Sequence, residues 1–191
     1  DVGGGSTELI ITRQGGSESE VSLPLGAVYL TERHLRQDPP SRDELEELHR
    51  EIILHLDAWE IDIRRMKLTL PAQVAVLAGT AGTITTLASM DQGLSAYDPD
   101  RINCYILTKP AVGGMIERLA GTPLTERKKI PGLEPGREDI ILAGAMIVNE
   151  LMTRCNKQEM VVSDWGLREG ILFDMYEGMR SREGTGTGND G

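Results

Sequence analysis

The sequence predicts an α/β domain with a mixed sheet and helices on its faces, and three observations predict it. Two short β-prone runs separated by turn residues lie near the start. Further on, apolar strands run through glycine turns into helices. Between these stand segments with helical apolar spacing, giving the order βββ-α-βα-…-βα. The 191 residues, 39% hydrophobic and 26% charged, suffice for one domain and exclude a collagen or a disordered chain.

The elements follow in order. Residues 7–13 (TELIITR) and 18–23 (ESEVSL) read as strands, with Gln14-Gly15-Gly16-Ser17 as the hairpin turn. The glycine-rich opening normally follows an apolar strand. The expectation is therefore a β-meander led by a strand lying almost wholly before Asp1, in a chain cut from a larger protein. A short helix runs from about Gly26 to Arg36 and is stopped by Asp38-Pro39-Pro40. Ser41 caps a long helix to about Met66 with Glu44 at the capping-box position; Leu45, Leu48, Ile52, Leu56, Trp59 and Ile63 form its apolar face, and Asp43, Glu44, Glu46, Glu47, Glu51 and Glu60 a solvated one. Residues 74–78 (VAVLA) read as a buried central strand feeding Gly79-Thr80-Ala81-Gly82-Thr83 and a helix. A turn at Tyr97-Asp98-Pro99, a strand at 105–107, a helix at 110–119 and a short helix at 122–129 follow. Residues 137–154 read as a helix apolar nearly all round, 160–163 as a last strand and 167–179 as a last helix. Residues 181–191 (SREGTGTGNDG) read as a disordered tail beyond a domain of residues 1–180.

Charge and composition narrow the function. A net charge of −10 argues against general nucleic-acid binding, which rests on neutralising phosphates. At 4% aromatic residues, base-stacking platforms are scarce. Arg64-Arg65-Lys67 and Arg127-Lys128-Lys129 read as solvated helix ends rather than a binding track. No stretch approaches the roughly 20 apolar residues of a spanning helix, and the N-terminus lacks a secretion signal, so the cytoplasm is the expected location and no membrane partner is expected. Cys104 and Cys155, far apart and outside any C-x-x-C, read as small buried apolar residues.

Three segments carry chemistry. In Asp1-Val2-Gly3-Gly4-Gly5-Ser6-Thr7-Glu8, three glycines expose main-chain N–H groups to an oxyanion, and Ser6 and Thr7 add hydroxyls. Asp1 becomes useful beside phosphate if it holds a bridging divalent cation. The plain alternative is a polar hairpin turn. Gly79-Thr80-Ala81-Gly82-Thr83 opens a helix, so its N–H groups and the positive helix end are expected to point the same way as the first loop, the two turns forming one concave anion site at one sheet edge; the alternative is a tight helix entry. Neither loop is a Walker or dinucleotide motif. In the third, Ser163-Asp164-Trp165-Gly166-Leu167-Arg168-Glu169-Gly170, Asp164 is a candidate N-cap, and Arg168 opposes the helix dipole, which marks either an exposed charge or a residue held for an anion or a carboxylate partner.

These segments, with SLPLGAV at 22–28, TER at 31–33, YDP at 97–99 and PGLEPGR at 131–137, resemble in order the exopolyphosphatase and guanosine pentaphosphate phosphohydrolase (Ppx/GppA) family. The resemblance implies a ribonuclease-H-like (actin-like) two-domain fold with phosphate bound between the domains, this chain being the second domain. By the same resemblance, Asp1 is the acidic residue associated with Mg²⁺ or another divalent cation and the phosphates, Gly3, Gly4, Gly5, Ser6 and Thr7 form the second phosphate loop, and Glu8 is a further acidic position grouped with Asp1 as catalytic. Gly79, Thr80, Ala81, Gly82 and Thr83, with Arg168, are assigned to substrate. The first phosphate loop and the water-activating glutamate belong to the missing N-terminal domain, so the chain alone is expected to be nearly inactive.

Phosphoanhydride hydrolysis suits such a division, because the attacking water and the charged oxygens need groups from both walls of a cleft. The resemblance implies polyphosphate or a guanosine penta- or tetraphosphate as the substrate. The acidic balance fits a long polyanion poorly and a short one better. Two other classes stand beside this one: an actin-like ATPase or sugar-kinase half-domain, and a non-catalytic nucleotide (alarmone) sensor. An unpaired first edge also offers a route to a homodimer.

Overall fold

The computed structural model describes residues 1–13, 16–68 and 70–183. Strands β1 (Thr7–Arg13) and β2 (Gly16–Leu23) pair antiparallel, Thr7 opposite Leu23, with a bulge between Ile11 and Thr12. The expected turn residues Gln14 and Gly15 lie outside the described residues. Alternation puts Thr7, Ile11 and Leu23 inside.

Helix α1 (Ala27–His34) leads to α2 (Arg42–Met66), where the capping box forms as its sequence requires: the Glu44 amide donates to Ser41 Oγ (3.3 Å) and the Ser41 amide to Glu44 Oε2 (2.8 Å). Leu48, Ile52, Leu56, Trp59 and Ile63 are buried, and Leu45 packs on their edge. The acidic face divides. Asp43, Glu46 and Glu47 are exposed, whereas Glu51 ties α2 to α1 through His34 Nε2 (2.6 Å) and Arg33 Nε (3.0 Å), and Glu60 holds Arg64 (2.6 Å) and Arg154 (3.2 Å). The helix stops at Lys67, which is left-handed at φ 58°.

A 3-10 turn (Pro71–Gln73) precedes β3 (Ala78–Gly79) and α3 (Ala81–Asp91). Then come α4 (Pro99–Ile102), β4 (Ile106–Thr108), α5 (Lys109–Ala120), α6 (Leu124–Arg127), α7 (Ile141–Arg154), β5 (Glu159–Val162) and α8 (Leu167–Glu183). The second sheet has the order β3-β5-β4, with β3 parallel and β4 antiparallel to β5. Helix α7 is the central pillar, touching α1, α2, α3 and α5, and is buried nearly all round as its composition predicts. A Cβ at Gly144 would fall 2.5 Å from Thr83 Cγ2 of α3 and 3.5 Å from Ala27 Cβ of α1, so three helices meet there at a distance only glycine permits.

Several expectations need correction. Residues 74–77 are not strand, and Val76 is 67% exposed: β3 has a ladder partner on one edge only, so nothing holds the run extended as a central strand. Residue 137 is irregular and 138–140 form turns before α7 begins at Ile141. Cys155 is buried, but Cys104 is exposed, in a left-handed turn at φ 63°. Arg127 is not a solvated helix end. It is 2% exposed, and its Nε donates to the carbonyls of Leu119 (3.1 Å) and Thr122 (2.9 Å), its Nη1 to that of Glu138 (3.0 Å). Helix α8 runs on to Glu183, into the expected tail; residues 184–191 lie outside the described residues. Leu167, Leu172, Phe173 and Met179 of α8 are all exposed. No helix among the described residues is long and apolar enough to cross a membrane.

Arg127→Met keeps the stem's bulk but removes three hydrogen bonds, those to the Thr122 and Glu138 carbonyls and one to Leu119, whose carbonyl keeps the Thr122 amide, so we expect a loss of about 3 kcal/mol in stability, read as a lower urea midpoint at unchanged slope.

Candidate functional site

Strands β3 and β5 point the same way, and the loops at their carboxyl ends open side by side, the place where open α/β sheets bind ligands. Residues 79–83 leave β3 and residues 163–166 leave β5. The Thr80 hydroxyl donates to the Trp165 carbonyl (3.0 Å) and joins the two loops. Together with Asp1 they wall a cleft of about 320 Å³, lined also by Ala81, Gly82, Thr85, Asp164, Gly166, Leu167, Arg168 and Glu169. That is the lower end of ligand-site size.

The N-terminus of α3 lines this cleft. Its N-cap, Thr80, makes no side-chain cap, having spent its hydroxyl on Trp165, and no acidic residue stands in the first turn. The first-turn N–H groups and the positive end of an 11-residue helix therefore have no side-chain acceptor. Ala81 enters the helix left-handed, at φ 71°. The Arg137 guanidinium lies against Gly82, where a Cβ would fall 2.0 Å from Nη2, and it is held by Glu134 through Nε at 2.5 Å. Helix α8 differs: Glu169 Oε2 accepts from the Gly166 amide (2.8 Å) and holds that end itself.

The opening loop reaches the cleft through Asp1. Gly3 N–H donates to the Ser6 carbonyl (2.9 Å), closing a tight turn. Its carbonyls face the other way: Gly3 accepts from the Ala27 amide (2.9 Å), and Gly4 from those of Val28 (2.9 Å) and Tyr29 (3.1 Å), so this loop occupies the N-terminus of α1. Gly26 allows the contact, since a Cβ there would sit 2.0 Å from the Gly4 oxygen. Gly4 and Gly5 are exposed, and among the described residues their N–H groups have no acceptor.

Of the residues singled out from sequence, Asp1, Thr80, Ala81, Gly82 and Arg168 share the cleft. Gly3, Gly4, Gly5, Ser6, Thr7 and Glu8 stand outside its wall, and Gly79 and Thr83 lie buried behind it. Thr7 is a correction to hydroxyl donation: fully buried, its Oγ1 donates to the Leu25 carbonyl (2.5 Å) and has nothing left for a ligand. Glu8 accepts from the hydroxyls of Ser6 (2.6 Å) and Ser22 (2.7 Å), which hold its carboxyl below the ordinary 4.5. Asp164 does not cap α8. It accepts from the Tyr97 hydroxyl, whose pKa is pushed up to about 12 by burial and then by that carboxylate. Thr85, Tyr97 and Arg137 were missed as site residues. Tyr97 and Arg137 stood in quoted motifs, but no local pattern says which turn they fold against.

Comparison with known proteins follows the geometry. A family model described as the Ppx/GppA phosphatase family matches residues 1–178. Exopolyphosphatase 2 of Mycobacterium tuberculosis is 33% identical over 184 residues, covering 92% of this chain and 54% of the relative. Exopolyphosphatase 1 of the same organism is 28% identical over 175 residues, 91% and 48%. The solved Aquifex aeolicus Ppx/GppA family member superposes with a TM-score of 0.82 at 31% identity, over 93% of this chain and 55% of that one. The chain thus spans about half the length of these relatives.

Two outcomes follow from the loop geometry. Gly26→Ala forces a methyl into the Gly4 carbonyl and is expected to cost about 2 kcal/mol or more, read in thermal and urea unfolding. Ser22→Ala removes a bond to the Glu8 carboxylate. Because the folded pKa of Glu8 is depressed, its contribution is fully present above 4.5 and lost as pH falls through the folded value. The stability gap between wild type and variant is therefore expected at neutral pH and to close on acidification, measured by urea titrations from pH 7 to pH ~3.

Proposed function

The chain belongs to the Ppx/GppA phosphatase family, and from that premise we propose that it is one half of a phosphoanhydride hydrolase that releases phosphate from inorganic polyphosphate or a guanosine pentaphosphate. The observation that carries the reading is the shared wall: one exposed carboxylate, Asp1, opposite the uncapped N-terminus of α3. A helix end without its own acceptor takes a phosphate oxygen, and a carboxylate beside it takes the cation that phosphate brings.

The donor set fits a hydrated divalent cation such as Mg²⁺. Asp1, Asp164 and Glu169 against a single lining arginine, Arg168, leave the cleft acidic, so an anion enters it best with a cation. An ion of this kind is held by one or two carboxylates, waters and substrate phosphates. When bound, that ion neutralises charge developing on the transferring phosphoryl group. The N–H groups of α3 orient the phosphate oxygens, Arg168 supplies positive charge at the rim, and the water-activating carboxylate comes from the domain that makes up the rest of the relatives' length. The exposed apolar face of α8, with Leu167 81% exposed, suits contact with that domain. By this reading the 191 residues alone turn over substrate poorly.

In the longer protein, Asp1→Asn is expected to lower phosphate release from polyphosphate on the order of 10²-fold, with partial recovery at raised Mg²⁺. Turnover of ATP in preference to polyphosphate or guanosine pentaphosphate would overturn the reading in favour of a kinase-like ATPase. Calorimetric binding of guanosine tetraphosphate with no phosphate release from any of these substrates would make the protein a sensor.

A further inference from the structure

Three carboxylates line the candidate cleft together with the first turn of α3: Asp1, Asp164 and Glu169. A carboxylate that turned toward the α3 amides would occupy them itself and repel a phosphate oxygen. Two of the three are tied. Glu169 accepts from the Gly166 amide (2.8 Å), and Asp164 Oδ1 accepts from the phenol of Tyr97. Among the described residues the Asp1 carboxylate accepts no hydrogen bond. We infer that Tyr97 is a positioning residue of the anion site: its phenol holds the Asp164 carboxylate out of competition for the α3 amides, so that substrate phosphate meets them and Asp1 is left for the cation. The inference rests on the phosphoanhydride reading above and adds to it a residue that acts through another.

The short helix α4 carries both groups that hold Asp164. At its carboxyl end Asn103 Oδ1 accepts from the Asp164 amide (3.2 Å), and at its amino end Tyr97 directly precedes the N-cap, Asp98. Asp98 Oδ1 accepts from the Asp100 amide (3.1 Å) and the Asp98 carbonyl from the amides of Arg101 and Ile102 (3.1 Å each), which fixes the turn that presents Tyr97. The loop before it is pinned to the end of α3, where the Leu94 amide donates to the Ser89 carbonyl (3.1 Å). Main chain and side chain of one aspartate are thus gripped by residues 61 and 67 positions earlier, an ordering that a merely solvated carboxylate does not need. The Thr85 hydroxyl, itself on the cleft wall, lies against the same phenol. Burial first, and the Asp164 carboxylate next, push the phenol up to about 12, so it is a donor at neutral pH. Without it, the Asp164 carboxylate has two targets in the cleft, the α3 amides and the Arg168 guanidinium, and occupying either takes an anion partner from the substrate.

The test is Tyr97→Phe in the longer protein, made in the wild-type and in the Asp164→Asn background. In the wild-type background KM for polyphosphate is expected to rise about tenfold with kcat within about twofold, and calorimetry with pyrophosphate and Mg²⁺ to show a matching loss of affinity. In the Asp164→Asn background, where no carboxylate is left to restrain, the same substitution is expected to change KM and pyrophosphate affinity less than about twofold. Unchanged KM and affinity in the wild-type background would overturn the inference. Equal losses in both backgrounds would overturn it as well, because Tyr97 would then act through the fold and not through Asp164. A wild-type protein that neither binds pyrophosphate nor releases phosphate would instead refute the proposed function, and this inference with it.

Discussion

The separation between α7 and its neighbours at Gly144 governs the rest of the molecule. Helix α1 carries the carbonyls of the opening loop, α3 carries the uncapped amides, and both lean on α7 where it lacks a side chain. Interiors packed to crystal density transmit small volume changes. A methyl group at this crossing would push Thr83 and Ala27 outward and so widen the gap between the two loops. The spacing of the two loops is thus decided well behind the cleft, at a glycine of α7.

Three helix N-termini in this chain are treated differently. Helix α2 closes its own end with Ser41 and Glu44, and α1 is closed by the carbonyls of Gly3 and Gly4. Helix α3 is left without a side-chain cap. An uncapped helix end costs stability that capping would recover, by about 1 kcal/mol. Its survival beside Asp1 fits a ligand as the missing acceptor, in a molecule whose net charge of −10 gives no general attraction for anions.

Much of this was legible in the sequence because it is local. The capping box of α2, its apolar stripe, the span of β1 and the glycine junction before α3 each follow from neighbours a few residues apart. What was not legible depends on partners distant in sequence. Arg127 looks like any basic residue in a short helix until the carbonyls of Leu119, Thr122 and Glu138 close around it. Thr7 reads as a phosphate-loop hydroxyl until Leu25 claims it. The apolar run at 74–78 has strand composition, but composition cannot say whether a second ladder partner exists. At the candidate site, residue types pointed to Asp1, the 79–83 loop and Arg168 and to a meeting of the two glycine loops at one sheet edge, whereas the tertiary fold brings only Asp1 of the opening loop to the cleft and adds Thr85.

The attachment of the opening loop to α1 has a mechanical consequence. Glu51 clamps His34 and Arg33 at the carboxyl end of α1, while the amides of Ala27, Val28 and Tyr29 grip the loop at its other end. The eight-residue helix is therefore a strut linking the glycine loop to the 25-residue α2. A tilt of the long helix, on whatever surface it leans, would be transmitted to the glycines as a displacement of the whole turn, so the loop has no independent hinge.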